Sequence, residues 1–107
     1  ACGGQPVTRS QAEAATYDIV VHATPIGTTP RVHDCFFEKR VPGKLVFDMV
    51  YNPMETALIQ KAKSQGAEVI HGIEMFLEQA ARQFEIWSGE NAPRSVMERA
   101  ALEALGV

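Results

Sequence analysis

The feature that most constrains this chain is an alternation. Three short apolar runs are separated by breaks rich in Gly and Pro and by stretches with helical periodicity. The runs extend from Tyr17 to Ala23, from Lys44 to Val50 and from Ala67 to His71. In the first, Ile19, Val20 and Val21 are consecutive rather than alternating with polar residues, as expected of a strand covered on both faces. Strand, helix or loop, strand, helix, strand, helix, helix is an order that predicts a parallel α/β sheet with right-handed crossovers. A doubly wound nucleotide-binding sheet has about five or six strands. Half of such a sheet would give this pattern, and the 107 residues read as a single domain.

The sharpest junction lies between Phe47 and Ala57, where a strand runs directly into a helix. Asn52 is placed to cap that helix, Pro53 fits its first position and Glu55 its third, as in a capping box. The helix is expected from Pro53 to Gln65. It has Ala57, Leu58 and Ala62 on one side, Lys61 and Lys63 near its end, and Gly66 as its stop. Ser10 to Ala15 reads as a short helix capped by Ser10, and Ala1 to Pro6 as a loop. Residues 31 to 43 read as irregular, with one helical turn between Cys35 and Arg40. A long helix from Glu74 to Ser88 carries Leu77, Ala80, Ala81, Phe84 and Trp87 as its expected buried stripe, and Gly89 ends it. Pro93 opens a last helix that runs to Leu105.

Charge and composition exclude several classes. Ten basic against thirteen acidic residues leave a net charge of −3, which gives no basic footprint for nucleic acid or an anionic membrane. No apolar run approaches the roughly 20 residues of a membrane span. Cys2 and Cys35 do not make a disulfide framework and favour a reducing, cytoplasmic setting. His22, His33 and His71 share no metal-ligand spacing. A Gly-x-Gly-x-x-Gly turn, a Walker loop, a Cys-x-x-Cys pair and a nucleophile elbow are absent from the sequence. The start lacks an initiator Met and reads as a cut into a longer chain.

In a parallel sheet the carboxyl ends of all strands share one edge, and ligands bind there. That edge gathers Thr24 and Pro25, Met49 and Tyr51, and Gly72 and Met75. Gln79 lies four residues after Met75, on the same helix face. A methionine, a tyrosine hydroxyl, a primary amide and a backbone-approachable glycine suit a flat cofactor ring and a polyhydroxylated partner. Each residue also has a plainer reading. Met49 and Met75 can be core filler, Gln79 a solvated helix residue, and Thr24-Pro25 and Gly72 simple turns. Asp48, on a buried strand, reads as an acceptor of backbone N–H groups at the sheet edge.

Four separated motifs carry a resemblance. They are Thr24-Pro25-Ile26-Gly27; Asp48-Met49-Val50-Tyr51-Asn52-Pro53 with Glu55-Thr56; Gly72-Ile73-Glu74-Met75 with Gln79; and Gln83-Phe84-Glu85-Ile86-Trp87-Ser88-Gly89. In order and spacing this set resembles the shikimate dehydrogenase family, from Tyr17 onward. The resemblance implies the second half of a Rossmann-like NADP-binding domain plus C-terminal helices. It implies reduction of 3-dehydroshikimate to shikimate with NADPH, in aromatic amino-acid biosynthesis. It implies that Tyr51 and Gln79 bind the substrate, and that Thr24, Pro25, Met49, Gly72 and Met75 surround the cofactor. The family's catalytic lysine and aspartate belong to a substrate domain upstream, so no catalytic residue is assigned here and the isolated chain is expected to be inactive. His22 stands where the family usually has Asn, and Thr28 where it often has Met. Relatives that use quinate, or NAD in place of NADP, share most of these motifs. The alternative is a catalytically silent binding module that forms a homodimer through the open edge of its first strand.

Overall fold

The computed structural model describes residues 2–106. Ala1, which the sequence assigns to a leading loop, lies outside them; residues 2–7 are irregular. Three parallel strands, β1 (Tyr17–His22), β2 (Gly43–Asp48) and β3 (Glu68–Ile70), form one sheet in the order β1-β2-β3. Four helices accompany them: α1 (Arg9–Ala14), α2 (Ala57–Ser64), α3 (Gly72–Ser88) and α4 (Arg94–Ala104).

The register decides which side chains reach the core. Val20 pairs with Val46 and Val46 with Val69, so these three share a face. That face packs against Leu58 and Ala62 of α2 and against Phe37 and Val41 of the β1–β2 crossover. Ile19 and Val21 point the other way and are 60% and 56% exposed. The expectation of cover on both faces therefore fails for β1. Among the described residues α2 is the helix that packs against the central strand, and it lies on the other side.

Polar contacts bind the irregular crossover to its neighbours. Lys61 Nζ donates to the carbonyls of Phe37 and Glu38, each at 2.9 Å. The Gln65 amide exchanges two hydrogen bonds with the Val41 backbone, at 2.9 and 3.0 Å. Glu13 accepts the backbone N–H groups of Lys39 and Arg40, and Arg40 returns its guanidinium to the carbonyls of Glu13 and Ala15. These bonds take up backbone groups of Phe37, Glu38, Lys39 and Arg40, and residues 35–40 lack the helical turn that the sequence suggested.

Several boundaries move. Thr8, not Ser10, caps α1 through the Gln11 N–H. Helix α2 starts at Ala57, because Thr56 is its cap and accepts the Ile59 N–H at 3.1 Å. The Asn52–Pro53 peptide is cis, and Asn52 caps nothing. Glu55 is not part of a capping box; its Oε1 lies 2.5 Å from His71 Nε2 and 2.8 Å from Lys63 Nζ. Gly66 does stop α2. It sits at φ +82°, and the Ala67 N–H reaches back to the Ala62 carbonyl at 3.0 Å while its own reaches Lys63.

Helix α3 begins two residues before the expected start, and its far end is not buried. Ala81 is buried and Leu77 and Ala80 are half-buried, but Phe84 is exposed and Trp87 is 80% exposed. Its partner is α4, held by Arg94 on Glu78 at 2.5 Å. That contact covers the middle of α3 and leaves its last turns open.

Candidate functional site at the strand carboxyl ends

Parallel pairing brings the ends of β1 and β2 side by side. Beyond Asp48 the ladder continues for one more bond, from the Met49 N–H to the His22 carbonyl at 3.0 Å. The chains then diverge and leave a cleft of about 370 Å³. Ala23, Thr24, Pro25 and Thr28 line it from the β1 side, and Met49, Val50, Tyr51 and Asn52 from the β2 side. The two loops are fastened across its rim. Thr29 donates its N–H to the Asn52 carbonyl at 2.9 Å and its hydroxyl to Asn52 Oδ1 at 3.0 Å.

Below the cleft lies a chain of buried polar groups. Asp48 is fully buried and His22 and Thr56 nearly so. His22 Nδ1 is 2.9 Å from Asp48 Oδ1, which also accepts the Val50 N–H at 3.0 Å. Asp48 Oδ2 accepts the Thr56 hydroxyl at 2.6 Å. His22 Nε2 is hydrogen-bonded to the Thr24 hydroxyl, and the Ile26 N–H approaches the same oxygen at 3.3 Å. Burial pushes the Asp48 carboxyl up, but the hydrogen bonds from His22, Thr56 and Val50 outweigh it and hold the group below its ordinary value. Phe36 closes one side of the imidazole, with ring centroids 5.8 Å apart. Asp48 thus takes one backbone N–H, as its position on a strand end suggests, and two side-chain donors besides.

The structure brings four of the seven candidate residues together at the cleft: Thr24, Pro25, Met49 and Tyr51. The Tyr51 ring stacks on Phe76 of α3, with centroids 4.5 Å apart and planes 27° from parallel. Gly72 stands behind the cleft wall. A Cβ at that position would lie 2.6–2.7 Å from the carbonyl oxygens of Asp48, Met49 and Val50. Only a residue without a side chain lets α3 begin against the end of β2. Met75 is half-buried on the first turn of α3, Gln79 is exposed one turn further, and neither lines the cleft.

Three contributors escape sequence reasoning. His22 is the link between Asp48 and Thr24, Thr56 is both helix cap and Asp48 partner, and Asn52 is a rim fastener rather than a cap. The signal for Thr56 is an Asp at a strand end with a Thr eight residues on, at the following helix start; His22 carries no such local signal.

The chain is similar to the NADP(+) shikimate dehydrogenase of Archaeoglobus fulgidus, with 43% identity over 108 residues, covering 94% of this chain and 38% of that protein. The chain belongs to the shikimate dehydrogenase family. The family model for the shikimate 5'-dehydrogenase C-terminal domain matches residues 72–102, which cover α3 and most of α4. Among solved structures, the Thermus thermophilus shikimate 5-dehydrogenase in complex with NADP(H) and shikimate is similar at a TM-score of 0.71 and 29% identity, over 92% of this chain and 37% of that one. The Corynebacterium glutamicum quinate dehydrogenase in complex with NAD is similar at a TM-score of 0.73 and 31% identity, over 89% and 33%. The α/β fold is accordingly Rossmann-like, with its parallel sheet and flanking helices. The chain spans well under half the length of the relatives it matches.

Proposed function

We propose that this chain is the cofactor-side C-terminal portion of a shikimate dehydrogenase that reduces 3-dehydroshikimate to shikimate with NADPH, and that residues 1–107 form a single domain within it. The observation that carries this reading is the cleft where Thr24-Pro25 meets Met49 and Tyr51, at the carboxyl edge of a parallel sheet in a chain of this family. Its volume lies at the lower end of the ~300–1,000 Å³ of small-molecule sites. It is matched to one end of a dinucleotide, with Met49, Ala23 and Val50 offering apolar surface to a flat ring and Thr24, Thr28 and Asn52 offering polar groups at the rim. The nicotinamide, when bound, supplies the hydride chemistry.

The chain's own residues orient and enclose. Met49 and Pro25 give the ring apolar contact, and Thr24 offers its oxygen. Gly72 sets the distance between α3 and the end of β2, and Met75 supports the same wall. Tyr51, braced by Phe76, and Gln79, on the exposed face of α3, are assigned to the hydroxyl and carboxylate groups of the substrate. Proton transfer belongs to a group outside these 107 residues, so the isolated chain is inactive on this reading. The two cysteines are free, in keeping with a cytoplasmic setting.

The test is steady-state kinetics on the natural protein that carries this chain. Gln79→Ala should raise the shikimate KM about tenfold or more, as expected when a hydrogen bond to a charged group is lost, and leave the NADP⁺ KM within about twofold. Equal shikimate KM in variant and parent removes Gln79 from the substrate site. Quinate and NAD⁺ belong in the same assay, because a quinate dehydrogenase in complex with NAD shares the fold. The open edge of β1, with Ile19 and Val21 exposed, favours a second reading in which the chain self-associates. Sedimentation of the 107-residue chain as a monomer at high concentration rejects it.

A further inference from the structure

The hydrogen-bond chain beneath the cleft runs from Thr56 through Asp48 and His22 to Thr24. The Ile59 N–H donates to Thr56 Oγ1, so the Thr56 hydroxyl proton is the one that goes to Asp48 Oδ2. A carboxylate only accepts, so the proton between Asp48 Oδ1 and the imidazole sits on His22 Nδ1. In the tautomer with Nδ1 alone protonated, Nε2 is an acceptor, and the hydroxyl beside it is that of Thr24. In that state Thr24 directs its proton inward to His22. Its oxygen takes the Ile26 N–H on one side and keeps a lone pair for the cleft it lines. No buried side-chain nitrogen or oxygen is left unpaired among the described residues.

We propose that His22 is a positioning residue that fixes the Thr24 hydroxyl as a hydrogen-bond acceptor at the lip of the cleft, so that Thr24 receives a ribose hydroxyl or carboxamide N–H of the bound nucleotide and not a phosphate oxygen. The assignment of the ligand rests on the cofactor reading given above; the His22–Thr24 link does not. A phosphate oxygen needs a donor, and Thr24 has none to give while His22 Nε2 holds its proton. Asn at position 22 can occupy the place of Nδ1 and keep Asp48 satisfied, but it is too short to reach Thr24. It separates the two halves of the imidazole's role.

Two measurements on the natural protein test this. In ¹⁵N-histidine-labelled protein at neutral pH, His22 should show a protonated Nδ1 and an unprotonated Nε2, and Thr24→Val should move the Nε2 resonance. A protonated Nε2, or an Nε2 signal unmoved by Thr24→Val, overturns the link. In kinetics, His22→Asn and Thr24→Val should each raise the NADP⁺ KM about fivefold, the worth of one hydrogen bond. The double variant should be no worse than either single one, because both remove the same contact. Multiplying effects, or a rise in the shikimate KM in place of the NADP⁺ KM, overturn the role. A parent protein that shows no turnover with either nicotinamide cofactor fails the dehydrogenase reading instead, and the nitrogen shifts then decide the link alone.

Discussion

The ends of β1 and β2 and the far half of α3 treat side chains in opposite ways. At the strand ends, His22, Asp48 and Thr56 are polar, buried and mutually hydrogen-bonded. On the last turns of α3, Ile86 and Trp87 are large, apolar and 78% and 80% exposed. In the first region the groups that hold the fold are the ones that set the site: Asp48 ties strand to helix cap and, through His22, to the cleft loop. In the second, apolar surface is held in place by a helix whose stability comes from elsewhere. The strand ends should therefore be intolerant of change and the helix end tolerant.

The largest effect is expected at Gly72. Gly72→Val drives side-chain atoms into three carbonyl oxygens that a Cβ alone would meet at 2.6–2.7 Å. Overpacking of this kind should cost about 3 kcal/mol or more, read from the urea midpoint of the natural protein. An unchanged midpoint would mean that α3 does not start against β2. Asp48→Ala comes next. It leaves His22 and Thr56 without their acceptor in a buried place, which should cost about 2–3 kcal/mol, and it should weaken NADP⁺ binding as well, because Thr24 loses its anchor. A loss of stability with binding intact would separate the fold from the site and break the comparison.

Acid should sharpen it. The Asp48 carboxyl is held below its ordinary value of 3.8 in the folded protein. Its stabilisation is therefore complete above the unfolded value and fades as pH falls through the lower, folded one. The parent should lose stability below about pH 4 more steeply than Asp48→Asn, which has no carboxyl to protonate. Parallel acid limbs in the two proteins would contradict the buried network.

The smallest effect is expected at the helix end. Ile86→Ser and Trp87→Ser should each change stability by less than about 0.5 kcal/mol. Trp87 is this chain's single tryptophan, and in the 107-residue chain its fluorescence should be readily quenched by acrylamide. Strong protection, or a cost of several kcal/mol, would show that another surface covers this face.

The sequence was most legible where one requirement acted alone. The alternation of short apolar runs with helical stretches points to a parallel sheet, and the three strands pair in parallel. Gly66 stops α2 for the reason its position suggests. Legibility failed where two residues competed for one role. Asn52 and Thr56 are both good caps, and local pattern favoured Asn52 with Pro53 and Glu55 behind it. Asp48, reached through the fold, takes the Thr56 hydroxyl and fixes the cap there, which frees Asn52 for the rim. Periodicity also marked Phe84 and Trp87 as buried, because it reports which residues share a face and not whether anything covers it. The convergence of Thr24, Pro25, Met49 and Tyr51 was readable from strand order, whereas His22 was not: its partners lie 26 residues away and two residues on.

The most direct test of the central claim is nicotinamide absorbance on the natural protein that carries this chain, supplied with shikimate and NADP⁺. Reduction of the cofactor is the expected result. No reduction with shikimate or quinate, with NADP⁺ or NAD⁺, would contradict the dehydrogenase reading and leave a Rossmann-like module with an open β1 edge.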